Sequence, residues 1–163
     1  MMGNRGGRFH KRDRTLGKRR HVSRRWICCV CDFKGRQRQV WGDGYTEVFF
    51  LDEVTALAAG HRPCFECRRA DAQTFATLFP VADGKPTSAD AMDVILHAER
   101  LTGWRGDRIT LQASDLPDGA MFTSNGNAFA VKNRKALQWD FSGYCDPVKL
   151  EISGVEVLTP AST

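Results

Sequence analysis

Along its hydrophobic and polar positions the chain falls into stretches of different character. Residues 1–24 hold few large apolar side chains beyond Phe9 and Leu16. That is too little to offset the entropy of ordering, so the segment reads as a disordered arm. From Arg25 the run Trp26-Ile27-Cys28-Cys29-Val30-Cys31 is apolar and β-prone. Asp32-Phe33-Lys34-Gly35 is a turn, and residues 36–41 alternate loosely, so 25–41 predicts a hairpin. Residues 46–50 predict a short strand. Asp52 is placed to cap a helix over 53–59 that Gly60 terminates.

A second helix is expected over 66–78, burying Phe75 and Leu78 and exposing Arg68, Arg69 and Asp71, and a linker runs from Pro80 to Pro86. Thr87 or Ser88 caps a third helix that ends at Gly103. There Ala91, Val94, Ile95, Ala98 and Leu101 fall on one stripe and Asp93, His97 and Arg100 on the opposite face. Beyond Trp104 the pattern becomes β, with strands over 108–112, 120–124, 128–132 and 149–158 and turn signals at 116–119 and 125–127. The fold expected is α+β: a basic arm (1–24), a small zinc-stabilised α/β module (25–79), then a helix and an antiparallel β unit (80–163).

The 163 residues contain no apolar run long enough to span a membrane and no secretory leader, so cytoplasmic residence is the expectation. Charge divides the chain unevenly. Residues 1–25 carry ten Lys or Arg against Asp13 alone, a balance of +9, and the remaining residues hold 14 basic and 18 acidic groups, a balance of −4. A positive arm on a mildly acidic body fits contact with a nucleic-acid backbone, DNA first. Arg19, Arg20, Arg24, Arg25, Lys34, Arg36, Arg38, Arg62, Arg68 and Arg69 are the candidate contacts.

Five of the six cysteines lie in two tight clusters about thirty residues apart, and in a reducing compartment this reads as metal ligation rather than disulfides. Cys64 and Cys67 form a C-x-x-C, and Cys28 and Cys31 are the natural partner pair. Four thiolates around Zn2+ follow. Cys29 could replace Cys28 or Cys31, Cys145 stands alone, and His10 and His21 are occasional-ligand candidates.

Phe49-Phe50, an acidic-and-alanine helix, and then Ala59-Gly60-His61-Arg62-Pro63-Cys64-x-x-Cys67-Arg68 resemble the metal-binding N-terminal domain of the Ada DNA-alkylation repair and response proteins. The resemblance covers about residues 25–69. It implies zinc held by four cysteines, with Cys64 and Cys67 as the second ligand pair and Arg62 as the arginine before Pro-Cys. It also implies DNA binding, and a zinc-bound thiolate that accepts a methyl group from a DNA phosphotriester, for which Cys28 or Cys31 is the candidate. The family's first pair is separated by three residues, whereas Cys28 and Cys31 are separated by two.

Other function classes remain. A metal-stapled protein-interaction adaptor needs no nucleic acid. Asp93 and His97, four apart on one helix, could form a carboxylate–imidazole base, or simply an i,i+4 pair on a solvated face. Trp104, Trp139, Phe141 and Tyr144 could stack on bases or pack in the core.

Overall fold

The computed structural model describes residues 1–37, 39–80, 84–151 and 153–163. The architecture is α+β, with two sheets, three α-helices and a short 3-10 helix (Ala113–Asp115) among those residues. The first sheet has the order β3-β1-β2-β4, from β1 (Met2–Asn4), β2 (Ile27–Cys29), β3 (Glu47–Phe49) and β4 (Arg62–Pro63). β1 runs antiparallel to β2 and β3, and β2 runs parallel to β4.

Residues 1–24, expected to be disordered, are ordered here, and β1 is a central strand. Backbone pairing holds it, since both edges of a strand of three residues are satisfied by neighbours, and Met2 is buried in the core. Gly3 permits the packing: a Cβ there would lie 2.7 Å from Phe50 Cε2 and 3.0 Å from His61 Cδ2. Further along, Thr46 Oγ1 accepts from the N–H groups of Phe9 (2.9 Å) and His10 (3.0 Å), and Val22 N–H donates to Arg5 O at 2.9 Å. The arm is folded back onto the sheet.

The hairpin expected over 25–41 does not form among the described residues, because β2 pairs with β1 and β4 instead. Trp41 takes a positive φ of 54° and turns back, donating its N–H to Glu47 Oε2 and its indole N–H to Glu47 O, both at 2.9 Å.

Helix α1 (Glu53–Ala58) starts where expected. Asp52 and Thr55 cap each other reciprocally, Thr55 N–H donating to Asp52 Oδ1 at 2.9 Å and Asp52 N–H to Thr55 Oγ1 at 3.2 Å. Gly60 ends it with φ +75°, and a Cβ there would strike the Arg100 side chain at 2.7 Å. Helix α2 (Arg69–Leu78) begins later than expected and buries Ala72 and Ala76, leaving Leu78 76% exposed.

Helix α3 (Ala89–Trp104), capped by Ser88, is rotated from its expected face. It buries Met92, Asp93, Leu96 and Arg100, while Val94 is 47% exposed. Alanines at 91 and 98 gave the expected stripe little burial to gain. Met92 and Leu96 pack with Ala76 and Phe79 into the helical core, and the neighbouring polar positions meet partners from the first sheet.

The second sheet is antiparallel throughout, in the order β10-β8-β7-β6-β11-β5, with β9 paired to β8. Its strands are β5 (Thr110–Leu111), β6 (Met121–Ser124), β7 (Asn127–Lys132), β8 (Lys135–Asp140), β9 (Gly143–Tyr144), β10 (Val148–Lys149) and β11 (Val155–Val157). β8 was not expected. The expected strand over 149–158 is split into β10 and β11, with Gly154 at φ +66° between them. Phe122, Phe129, Val131, Ala136 and Val155 form this sheet's core. Tyr144 Oη donates to Asp52 Oδ2 at 2.8 Å and Ser162 Oγ to Glu99 Oε2 at 2.7 Å, tying the sheet to α1 and α3. Among the described residues no helix is long and apolar enough to cross a membrane.

Candidate metal centre

Parallel pairing of β4 beside β2 builds the site. Arg62 N–H donates to Trp26 O and Cys64 N–H to Cys28 O, each at 3.1 Å. The chain leaving β4 is thereby delivered beside the end of β2. It then turns tightly, with Arg68 N–H on Cys64 O at 3.0 Å, and enters α2. The turn contributes Cys64 and Cys67, and the strand contributes Cys29. Their three sulfurs lie within 4.8 Å of one another, a group that could hold a metal ion.

Cys28, expected as a ligand, is not in this group. Adjacent residues of a strand face opposite ways, and Cys28 faces inward with Trp26: the two are 0% and 1% exposed. Its sulfur accepts from Arg68 Nη1 at 3.3 Å, and burial pushes its thiol up to about 11. Cys29 faces the other way, as would Cys31 if the strand were extended. Cys31 is exposed and lies outside the three-sulfur group, and Cys145 is exposed elsewhere.

The donor set fits a thiophilic ion. A tetrahedral Zn–S site with bonds of about 2.3 Å places its sulfurs roughly 3.8 Å apart, so the observed spacing needs only a modest contraction. Backbone N–H groups already support the sulfurs: Glu66 N–H lies 3.4 Å from Cys64 Sγ, and Val30 N–H donates to Cys67. The thiols are coupled. A hydrogen bond from Cys29, with further ones from the Cys67 and Glu66 amides, lowers Cys64 to about 5. Cys29 is raised, first by donating to Cys64 and then by burial, and Cys67 is raised mainly by burial. Within the group negative charge is favoured on Cys64, and a bound metal would displace the protons the three thiols share.

The expected basic contacts separate into two groups. Arg62 is buried, with Nε on Asp93 Oδ1 and Nη2 on Asp93 Oδ2, both at 2.9 Å, and Asp93 is 0% exposed. Arg68 is also buried, ion-paired to Glu53 and Asp71. Neither can meet a nucleic acid, so both are corrections: guanidinium groups that read as surface charge are internal struts. Arg19, Arg20, Arg24, Arg25, Lys34, Arg36 and Arg69 are exposed. Of these, Arg25 pairs with Asp90 at 3.1 Å and Arg36 with Glu66. Arg38 lies outside the described residues.

The Asp93–His97 base is likewise not formed. Both Asp93 oxygens are occupied by Arg62, while His97 Nδ1 sits 3.4 Å from Arg100 Nη2 and its ring packs edge-on to His21. Arg100 lies over the Trp26 ring, 4.3 Å from its centroid, and donates to the carbonyls of Gly60 and Arg24. His21 packs against Trp26, Trp104 and His97, and His10 stacks on Trp41, so the structure places neither histidine with the sulfur group.

A second feature, not anticipated from the sequence, is a polar pocket of about 470 Å³ lined by Arg8, His10, Lys11, Arg12, Arg14 and Trp41 among others. Arg8 pairs there with Asp43 at 3.4 Å. The run of cations was legible; the turn that gathers it was not. The His10–Leu16 bridge and a positive φ at Arg14 make that turn.

No family model, curated protein or solved structure matches the chain.

Proposed function

We propose that the chain binds a zinc ion through Cys29, Cys64 and Cys67 and presents its basic N-terminal surface to nucleic acid, DNA in the first instance. The observation that carries this reading is the convergence of three thiol sulfurs within 4.8 Å in a chain whose first 25 residues carry a balance of +9. Cys31 completes the tetrahedron when the loop after β2 closes. It stands two residues beyond Cys29, the spacing that returns a side chain to the same face of an extended chain. The bound ion would keep the thiolates ionised and pin the turn before α2 to β2.

Lys11, Arg12 and Arg14 around the polar pocket, with Arg19, Arg24 and Lys34, supply cations for phosphate oxygens. The Ada resemblance extends this reading to alkylation repair or response. In that case Cys31 is the accessible acceptor, because the Cys28 sulfur is enclosed under Arg68.

The test is fluorescence anisotropy of zinc-loaded protein on DNA across a salt series. Log K should fall against log salt by about 0.9 for each duplex phosphate neutralised. Replacing Lys11, Arg12 and Arg14 together by Ala should make that slope shallower. A flat dependence for the unaltered chain contradicts the nucleic-acid reading.

A further inference from the structure

A cleft of about 1160 Å³ opens between the first sheet, the C-terminal half of α3 and the second sheet. We infer that this cleft takes unpaired bases of a single-stranded nucleic acid, stacked on Trp104 and Phe141. The inference rests on the nucleic-acid reading above and adds strandedness and the surface that reads it.

The walls are those of a stacking site. Phe141 is 94% exposed at the tip beyond β8, and Trp104 is 49% exposed at the end of α3. Trp139 supports Phe141 edge-on, with ring centroids 5.1 Å apart, and Trp104 is backed by Trp26 at 5.5 Å. Exposed aromatic rings held from behind offer flat faces at little entropic cost. Every base has a π-face, so such sites suit any strand whose bases are unpaired. A duplex hides those faces within its stack.

Charge agrees with this occupant. Arg5, Arg20 and Arg108 line the cleft against Glu99 and Asp107, with Arg108 paired to Glu156 at 3.5 Å and the buried Arg100 turned onto the carbonyls of Gly60 and Arg24. Glu99 is already engaged by Ser162, and Arg20 forms no ion pair among the described residues. Arg20 is exposed and belongs to the basic N-terminal segment, so a strand whose phosphates follow that segment can turn its bases into the cleft. Among the described residues the buried indole N–H of Trp139 has no acceptor.

The experiment uses the full zinc-loaded chain with an oligothymidylate of roughly a dozen nucleotides, the matching oligouridylate, and a duplex of the same length. Tryptophan emission and anisotropy are both read. The single strands should bind more tightly than the duplex and quench tryptophan emission, and a preference for either sugar supports the inference equally. Phe141→Ala should weaken single-strand binding by roughly tenfold, the loss of one stacked base. It should leave duplex binding unchanged, and Phe141→Tyr should retain the affinity. Phe141 is almost wholly exposed, so its removal leaves the core intact. Equal binding of strand and duplex with no effect of Phe141→Ala overturns the cleft inference and leaves the basic-surface reading standing. Failure to bind any of the three overturns both.

Discussion

At the scale of single residues, the neighbouring pair Cys28 and Cys29 shows how much one position decides. The burial alternation over residues 26–29 turns Trp26 and Cys28 inward, leaving Cys29 to meet Cys64 and Cys67. That alternation was available in the sequence, since Trp26 is the residue most certain to seek the interior. The C-x-x-C spacing instead drew attention to Cys28 and Cys31. His61 carries a different lesson. It is almost completely buried, between Trp26 and Phe50, with Arg5 Nε donating to its Nε2 at 3.4 Å. Burial first, then the charges of Arg5 and Arg100, hold its pKa well below the ordinary value.

The unfolded chain takes up a proton at His61 near pH 6.5 while the folded chain does not, so stability is full above that pH and is lost as pH falls below it. The slope contributed is up to about 1.4 kcal/mol per pH unit. Denaturant midpoints measured between pH 7 and 5 should fall for the wild type and fall less steeply for His61→Phe. Parallel slopes for the two proteins would contradict this role.

At the scale of elements, local signals were read well where the physics is local. The Asp52 cap, the Gly60 stop and the strands β6 and β7 lie close to their expected positions because capping and turn chemistry depend on a few neighbouring residues. The hidden strand β8 was signalled by Asn133-Arg134, both at positive φ in a two-residue hairpin turn, a less familiar sequence for that turn than Asn-Gly. The buried face of α3 differs from its apolar stripe for another reason. Its polar residues are buried because β4 brings Arg62 against Asp93, a contact 31 residues apart that no periodicity reveals.

That pair should dominate the helix's docking energetics. Asp93→Ala leaves Arg62 buried and unpaired, a loss of about 3–5 kcal/mol in chemical denaturation. Arg62→Met combined with Asp93→Leu should recover much of it; no recovery would indicate that the pair's geometry, rather than its charge balance, holds α3. At α1, Asp52→Ala removes the cap at a cost of about 1 kcal/mol, and the Tyr144 hydroxyl loses its acceptor as well.

At the scale of the whole molecule, the basic arm and the sulfur group are parts of one body. β1 is the central partner of both β2 and β3, so the strand that carries Cys29 depends on residues 2–4 for one of its edges. A chain lacking the first ten residues should therefore lose metal affinity as well as nucleic-acid affinity. Equilibrium competition with a zinc chelator would register this, and unchanged zinc affinity would mean the arm is only an appendage. The α+β class and the presence of a cysteine centre were legible in the sequence. The central place of the N-terminal strand was not, since its burial comes from pairing on both edges, the small volume of Gly3 and one apolar side chain, Met2, which by itself gives no periodic signal.

The most direct test of the account is native mass spectrometry with metal analysis on the wild type and on single variants. The wild type should carry one zinc per chain. Cys29→Ser, Cys64→Ser and Cys67→Ser should each lose it or hold it far more weakly, Cys31→Ser should weaken it, and Cys28→Ala should keep it at full stoichiometry. Loss of zinc from Cys28→Ala with retention in Cys29→Ser, or no zinc in any form, would contradict the site described here.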